Sequence, residues 1–296
     1  MAKFTDIAPL TYYYMHGYKI MNPFCRIITQ LPTHRLLLED TTFENREDDP
    51  GNKVLLHSTC VDILQKLKRQ TDSKGWALLQ IDEETEKAMI TGDVSTLRGN
   101  LIDAYGADNV PTPKVLRDGM RGGVIERLRA LWTLCQQTAS ALAAETPATC
   151  DWVIRGDGAG AKGYFATQGA NFVPHAPSWT RFGRDWGTNQ FFSTSVGDEL
   201  ASVAGRAVIW VIRLKTTGSK GRLGGAYTSE AEVLFPYDVK IRFEGGVVVS
   251  AADQLDTINL ASFEGPEVLR AKLKAVYLKN GFSTGSKTHF LVAKEV

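Results

Sequence analysis

The stretch Ser229-Glu-Ala-Glu-Val-Leu-Phe-Pro236 decides how the C-terminal half of the chain is read. Its β-branched and aromatic residues suit a strand, and Pro236 ends it. Successive side chains on a strand point to opposite faces. Glu230 and Glu232 therefore share one face, while Ala231, Val233 and Phe235 take the other. At strand rise the two carboxylates stand roughly 7 Å apart, so both can ionise. Taken alone, a Glu-x-Glu pair on a half-buried strand is usually a solvated face.

Two runs upstream share its oddity, polar groups on a face that should belong to a core. In Trp152-Val-Ile-Arg155, Val153 and Arg155 lie on one side, and an arginine on so apolar a strand is costly unless paired. In Phe191-Phe-Ser-Thr-Ser195, Ser193 and Ser195 share the side of Phe191. Further β-type runs are expected at residues 151–155, 190–194, 207–215, 230–235, 240–243, 247–250 and 289–294, with one helix at 266–279 closed by Gly281. The N-terminal part reads differently. Leu56, Cys60, Ile63, Leu64 and Leu67 recur at helical spacing within residues 54–70, and residues 94–105 suggest another helix. Residues 76–81 read as a short buried strand, and 44–51 as an acidic loop.

Val110-Pro-Thr-Pro113 punctuates the chain, with Thr112 as a helix cap and Pro113 at the first helical position. Gly119, Gly122 and Gly123 are expected to interrupt that helix before an apolar stripe resumes over 124–144. The fold class is therefore α+β: a mainly helical region, residues 1–112, for targeting, secretion or support, followed by a catalytic domain, residues 113–296.

With 43% hydrophobic and 23% charged residues among 296, the chain can bury a sizeable core. A net charge of +1 gives no global field toward nucleic acid or a membrane. The cysteines at 25, 60, 135 and 150 form no C-x-x-C pair and read as reduced, mostly buried thiols. The scattered histidines form no H-E-x-x-H, so no metal site is expected. The first residues lack the apolar segment of a signal peptide, and the longest apolar run, from Ala207 to Leu214, is too short for a bilayer. A cytosolic working place is the expectation.

Val153-Ile-Arg155-Gly156, Phe191-Phe-Ser193-Thr194-Ser195 and the run through Glu230 and Glu232 to Pro236, in this order, resemble the Arg/Ser-Thr-Ser/Glu-x-Glu class of mono-ADP-ribosyltransferases, bacterial toxins and effectors among them. The resemblance covers about residues 148–296. It implies a fold of two packed, mainly antiparallel sheets around an NAD cleft, with NAD as co-substrate and no metal. It implies that Glu232 stabilises the oxocarbenium-like transition state of nicotinamide–ribose cleavage, that Arg155 clamps the NAD phosphates, and that the backbone at Gly156 holds the nicotinamide amide. Ser193 would fix the Glu232 rotamer, with Thr194 and Ser195 supporting the strand and the site wall. Glu230 would meet the acceptor, with arginine favoured, and Tyr227 is either a recognition aromatic or a packed turn residue.

The resemblance further implies a secreted effector working in a host cytosol as a monomer, on a host protein of the actin, small GTPase or ubiquitin kind. There are departures. No aromatic occurs in 196–206, where relatives stack one on nicotinamide, and an aromatic-rich insert fills 157–187. That insert either covers the cleft, contacts the target or forms a satellite cluster. Gly158-Ala-Gly160-Ala-Lys-Gly163 matches a dinucleotide fingerprint, but neither a helix nor the required acid follows it. The alternatives are an NAD glycohydrolase on the same fold, or the same transferase chemistry on a threonine or other acceptor such as in ubiquitin, and an inactive binding module is disfavoured because Arg155, Ser193 and Glu232 are all present.

Overall fold

The computed structural model describes residues 7–40, 50–157, 185–196, 203, 205–206, 208–223, 231–279 and 288–296. The chain divides into two compact units, Met1–Ala141 and Leu142–Val296.

The first unit is helical: α1 (Pro9–Tyr12), α2 (Tyr18–Gln30), α3 (Pro32–Glu39), α4 (Pro50–Gln70), α5 (Ser73–Ala77), α6 (Glu83–Thr91), α7 (Ser95–Tyr105) and α8 (Pro113–Ala143). Apolar side chains at helical spacing bury Ile20, Phe24 and Ile28 of α2, Ile63, Leu64 and Leu67 of α4, and Leu128, Leu131 and Cys135 of α8. In the run of neighbouring tyrosines, Tyr12 and Tyr13 are buried, and Tyr13 meets Tyr14 and Tyr18 edge-on. All four cysteines are free thiols, three of them buried.

Two expectations for this unit are corrected. Residues 76–81 are not a strand. Asp72 accepts the N–H of Gly75 at 2.7 Å and starts the short helix α5, whose following residues Leu79 and Ile81 bury without any β partner. A short apolar run does not tell strand from helix by itself, and here the cap decides. Nor do Gly119, Gly122 and Gly123 interrupt α8, which runs unbroken from Pro113. Each glycine costs a helix about 1 kcal/mol, and the buried stripe from Val124 to Leu142 offsets that. Thr112 caps α8 as expected, accepting from the N–H of Val115 at 3.4 Å. The compact partition places nearly all of α8 in the first unit, whereas the sequence reading began the second domain at residue 113.

The second unit carries one sheet in the order β2-β7-β8-β4-β1-β3-β6-β5. The strands are β1 (Trp152–Asp157), β2 (Asp185–Gly187), β3 (Phe192–Val196), β4 (Val208–Arg213), β5 (Arg222–Leu223), β6 (Glu232–Phe235), β7 (Lys240–Val249) and β8 (Thr288–Glu295). All neighbours are antiparallel except β4 and β8. The α+β class stands, and the ladder is continuous where two packed sheets were expected. The join between β1 and β3 is narrow, only Val153↔Val196 and Ile154↔Ser195. The runs at 240–243 and 247–250 also merge, because a bulge at Glu244 replaces a turn and Gly245 and Gly246 pair with Val292 and Leu291. Strands β2 and β5 carry no apolar run of their own and were not foreseen.

Both faces of the sheet are buried. Ile154, Ile209, Val211, Phe290 and Val292 pack under the 3-10 turn Ala252–Thr257 and the helix α9 (Pro266–Lys279), whose Leu269, Leu273 and Val276 close that side. Val153, Trp210, Ile212, Val233, Phe235, Phe243 and Leu291 form the other cluster, to which no helix contributes among the described residues. Here the sheet curls over itself. Buried Glu295, at the end of β8, accepts the backbone N–H groups of Lys215 at 3.2 Å and Lys220 at 2.7 Å, from the segment that leads into the far edge strand β5.

Candidate active site

Arg155 lies on the face of β1 that carries Val153, where its guanidinium sits 4.4 Å above the Phe192 ring. It is fully engaged along one edge. Nε donates to both oxygens of Asp157 at 3.1 and 3.2 Å, and Nη2 donates to Asp157 Oδ1 at 2.9 Å. Nη1 donates to the Ser193 carbonyl at 2.6 Å. Asp157 is itself held by the Trp210 indole N–H, 3.0 Å from Oδ2. A guanidinium has five N–H groups. Three are committed here, so two remain for a ligand.

The pairing of β3 with β6 explains the rest. Thr194 lies opposite Val233 and Phe192 opposite Phe235, on the side of the Val153 cluster. Ser193 and Ser195 therefore project to the other side, with Ser195 directly across from Glu232. The Ser193 hydroxyl donates to Glu232 Oε1 at 2.5 Å. Ser193 thus joins two faces: its carbonyl takes Arg155 and its hydroxyl fixes Glu232. Thr194 is buried and donates to the Val233 carbonyl at 2.8 Å.

Glu232 is 8% exposed, at the first position of β6. The residue before it, Ala231, has φ 42°, a left-handed backbone conformation that costs a non-glycine residue roughly 1 kcal/mol. Its carbonyl accepts the N–H of Val196 at 2.9 Å, which holds the kink in place. This twist aims the Glu232 side chain at β3.

Of the residues expected at the site, Arg155, Ser193 and Glu232 form one connected chain. Gly156 lies beside Arg155 in β1, opposite Ile209. Glu230, Tyr227, the glycine loop and residues 158–184 of the insert lie outside the described residues. Asp157, Phe192, Trp210 and Ala231 were missed. For Asp157 a signal existed, since alternation puts it on the face of Arg155 two residues on. Among the described residues no group of His, Cys, Asp and Glu is arranged to hold a metal ion, and no helix is long and apolar enough to cross a membrane.

No family model and no curated protein matches the sequence. Solved structures similar to the chain include the catalytic domain of VsdC from Aeromonas hydrophila, 17% identical, covering 76% of this chain and 94% of that one with a TM-score of 0.38. The Salmonella SpvB ATR domain is 17% identical over 71% of this chain and 90% of its own, with a TM-score of 0.39. C3larvin toxin, an ADP-ribosyltransferase from Paenibacillus larvae, is 13% identical over 76% and 94%, with a TM-score of 0.35.

Proposed function

We propose that the protein is an NAD-dependent mono-ADP-ribosyltransferase acting on a side chain of a host protein. The observation that carries this reading is the Arg155–Ser193–Glu232 chain, in which a fixed carboxylate and a cation meet through one serine on adjacent strands. The bond between nicotinamide and the ribose C1′ breaks, its electron pair leaving with nicotinamide. The positive charge left on the ribose is the group that a nearly buried, pre-aimed carboxylate such as Glu232 stabilises. An acceptor nucleophile then bonds to C1′ and gives up its proton, for which Glu230 is the assigned base.

Arg155 keeps two N–H groups for the NAD phosphates while its other edge holds Ser193. Gly156 offers backbone groups to the nicotinamide amide, and Thr194 and Ser195 hold β3 against β6. Tyr227 would contact the acceptor. An acceptor arginine follows from Glu230 by the motif, and a secreted bacterial effector working in a host cytosol is the setting the motif's family implies. The helical unit would serve secretion, targeting or support.

The test is NAD consumption by Glu232→Ala alongside the parent, with released nicotinamide and labelled ADP-ribose followed together. Loss of nicotinamide release by three orders of magnitude or so is expected for a transition-state carboxylate. A variant as active as the parent sinks the reading. Label that appears only as free ADP-ribose, in the presence of host lysate, would make water the acceptor and the protein a glycohydrolase.

A further inference from the structure

The helical unit holds a pocket of about 410 Å³ between the start of α7 and the start of α8, lined by Gly92, Ser95, Arg98, Gly99 and Arg117 among others. Its charge is lopsided. Arg117, one of the lining residues, donates its Nε–H to the Gly92 carbonyl at 3.0 Å. Arg121, one turn further along α8, brings Nη2 to the same side of Gly92 as the Arg117 side chain. Among the described residues, none of Arg98, Arg117 and Arg121 has a carboxylate within ion-pair distance. The nearest lining acid, Asp93, is already spent: Oδ2 pairs with Lys87 Nζ at 2.7 Å and Oδ1 accepts the Ser95 N–H at 2.9 Å.

Two further facts concern these arginines. The Nε–H groups of Arg98 and Arg121 are both shut off from solvent without a hydrogen-bond partner among the described residues, a costly condition for a cation. Burial and the neighbouring Arg117 charge lower the pKa of Arg121, partly offset by Asp118. Clustered arginines that repel one another and lack acids are stabilised by an anion.

We propose that this pocket is a binding site for a phosphate-bearing small ligand, of the size of a phosphorylated sugar or inositol. A tetrahedral dianion can accept from several guanidinium groups at once, which a single carboxylate cannot match. The volume exceeds what a bare phosphate fills and suits a small headgroup. A soluble ligand and a lipid headgroup of this kind present the same chemistry of recognition.

Inositol trisphosphate is titrated calorimetrically into the full chain, its Arg98→Ala and Arg98→Lys variants, and Arg155→Ala. Among the described residues the Arg98 Nε–H has no hydrogen-bond partner, so its removal breaks no such bond there, and equal melting temperatures of parent and variant check the fold. Saturable binding that Arg98→Ala weakens at least about tenfold, that Arg98→Lys partly restores, and that Arg155→Ala leaves unchanged is the expected result. Absence of saturable binding, equal binding by Arg98→Ala, or loss in Arg155→Ala instead would each overturn the proposal. So would equal competition by a glutamate-rich peptide, which would make the ligand an acidic protein segment. Sedimentation with phosphatidylcholine vesicles, with and without phosphoinositide, separates the sources: co-pelleting only with phosphoinositide identifies a lipid-borne ligand, and no co-pelleting beside calorimetric binding identifies a soluble one.

Discussion

Arg155 and Asp157, two residues apart on one face of β1, close on each other edge to edge, Nε and Nη2 both reaching Oδ1 within 3.1 Å. The pair is about four-fifths buried. Asp157 therefore sets the plane of the guanidinium and decides which of its N–H groups still point outward. Asp157→Asn keeps the shape and an acceptor for Trp210 but removes the charge. It is expected to cost about 1–2 kcal/mol of stability and to lower NAD turnover about tenfold, as Arg155 loosens from Ser193. Thermal melts and a nicotinamide-release assay check both. An unchanged melting point with unchanged turnover would show the pair to be idle.

Ser193 and Thr194 are chemically alike and lie on opposite faces, so they should fail differently. Ser193→Ala removes the bond to Glu232 and leaves the carbonyl for Arg155. Its main effect should be a fall in turnover of ten- to a hundredfold, with a stability loss near 1 kcal/mol. Thr194→Val removes the bond to the Val233 carbonyl, and should cost about 1–2 kcal/mol with much of the activity kept. Urea midpoints read beside turnover separate the two. Equal inactivation would contradict the face assignment.

The left-handed backbone at Ala231 stores strain next to Glu232. Ala231→Gly should raise stability by up to about 1 kcal/mol in the folded state, reduced by the freer unfolded chain. Turnover should fall, because a glycine no longer confines the direction of the carboxylate. Unfolding curves and kcat test this, and a variant both less stable and fully active would refute it.

Glu244, in the bulge of β7, bonds Ser262 Oγ at 2.6 Å and Lys294 Nζ at 2.9 Å. Burial alone would raise its pKa, but the Ser262 hydroxyl and the Lys294 ammonium outweigh that and hold it below the usual glutamate range. A depressed carboxylate stabilises the fold above its unfolded pKa, about 4.3, and that contribution is lost as pH falls through the folded value. Glu244→Gln should therefore melt below the parent at pH 7 and converge with it near pH 3. A gap independent of pH would remove the carboxylate charge from the account.

Much of the second unit could be read directly because its strands alternate cleanly. Glu232, Val233 and Phe235 fall on the faces that the period of two assigns. The β3 run was placed two residues early because Phe191 and Phe192 look like the strand's centre, whereas Phe191 packs outside it against Tyr237. Asp157 was passed over because Gly156 and Gly158 make it look like a loop residue. Its partner Trp210 lies 53 positions away and comes alongside only through the β1–β4 register. Helix α2 was hidden by Pro23 and the preceding tyrosines, although Ile20, Phe24 and Ile28 keep the spacing of a buried stripe. Such losses occur where a neighbour distant in sequence, rather than a local preference, fixes the conformation.

The seam between β1 and β3 is two residue pairs wide, and Arg155 and Ser193 meet just beyond it. A ladder that short, like the two-pair ladder of β5 with β6, opens more readily than the longer ones. Amide hydrogens beside the seam should exchange with solvent by small fluctuations, long before those of β4 and β8 are released by global unfolding. A substrate that bridged Arg155 and Glu232 would close the seam and slow that exchange, so the tightening of the protein would itself report occupancy.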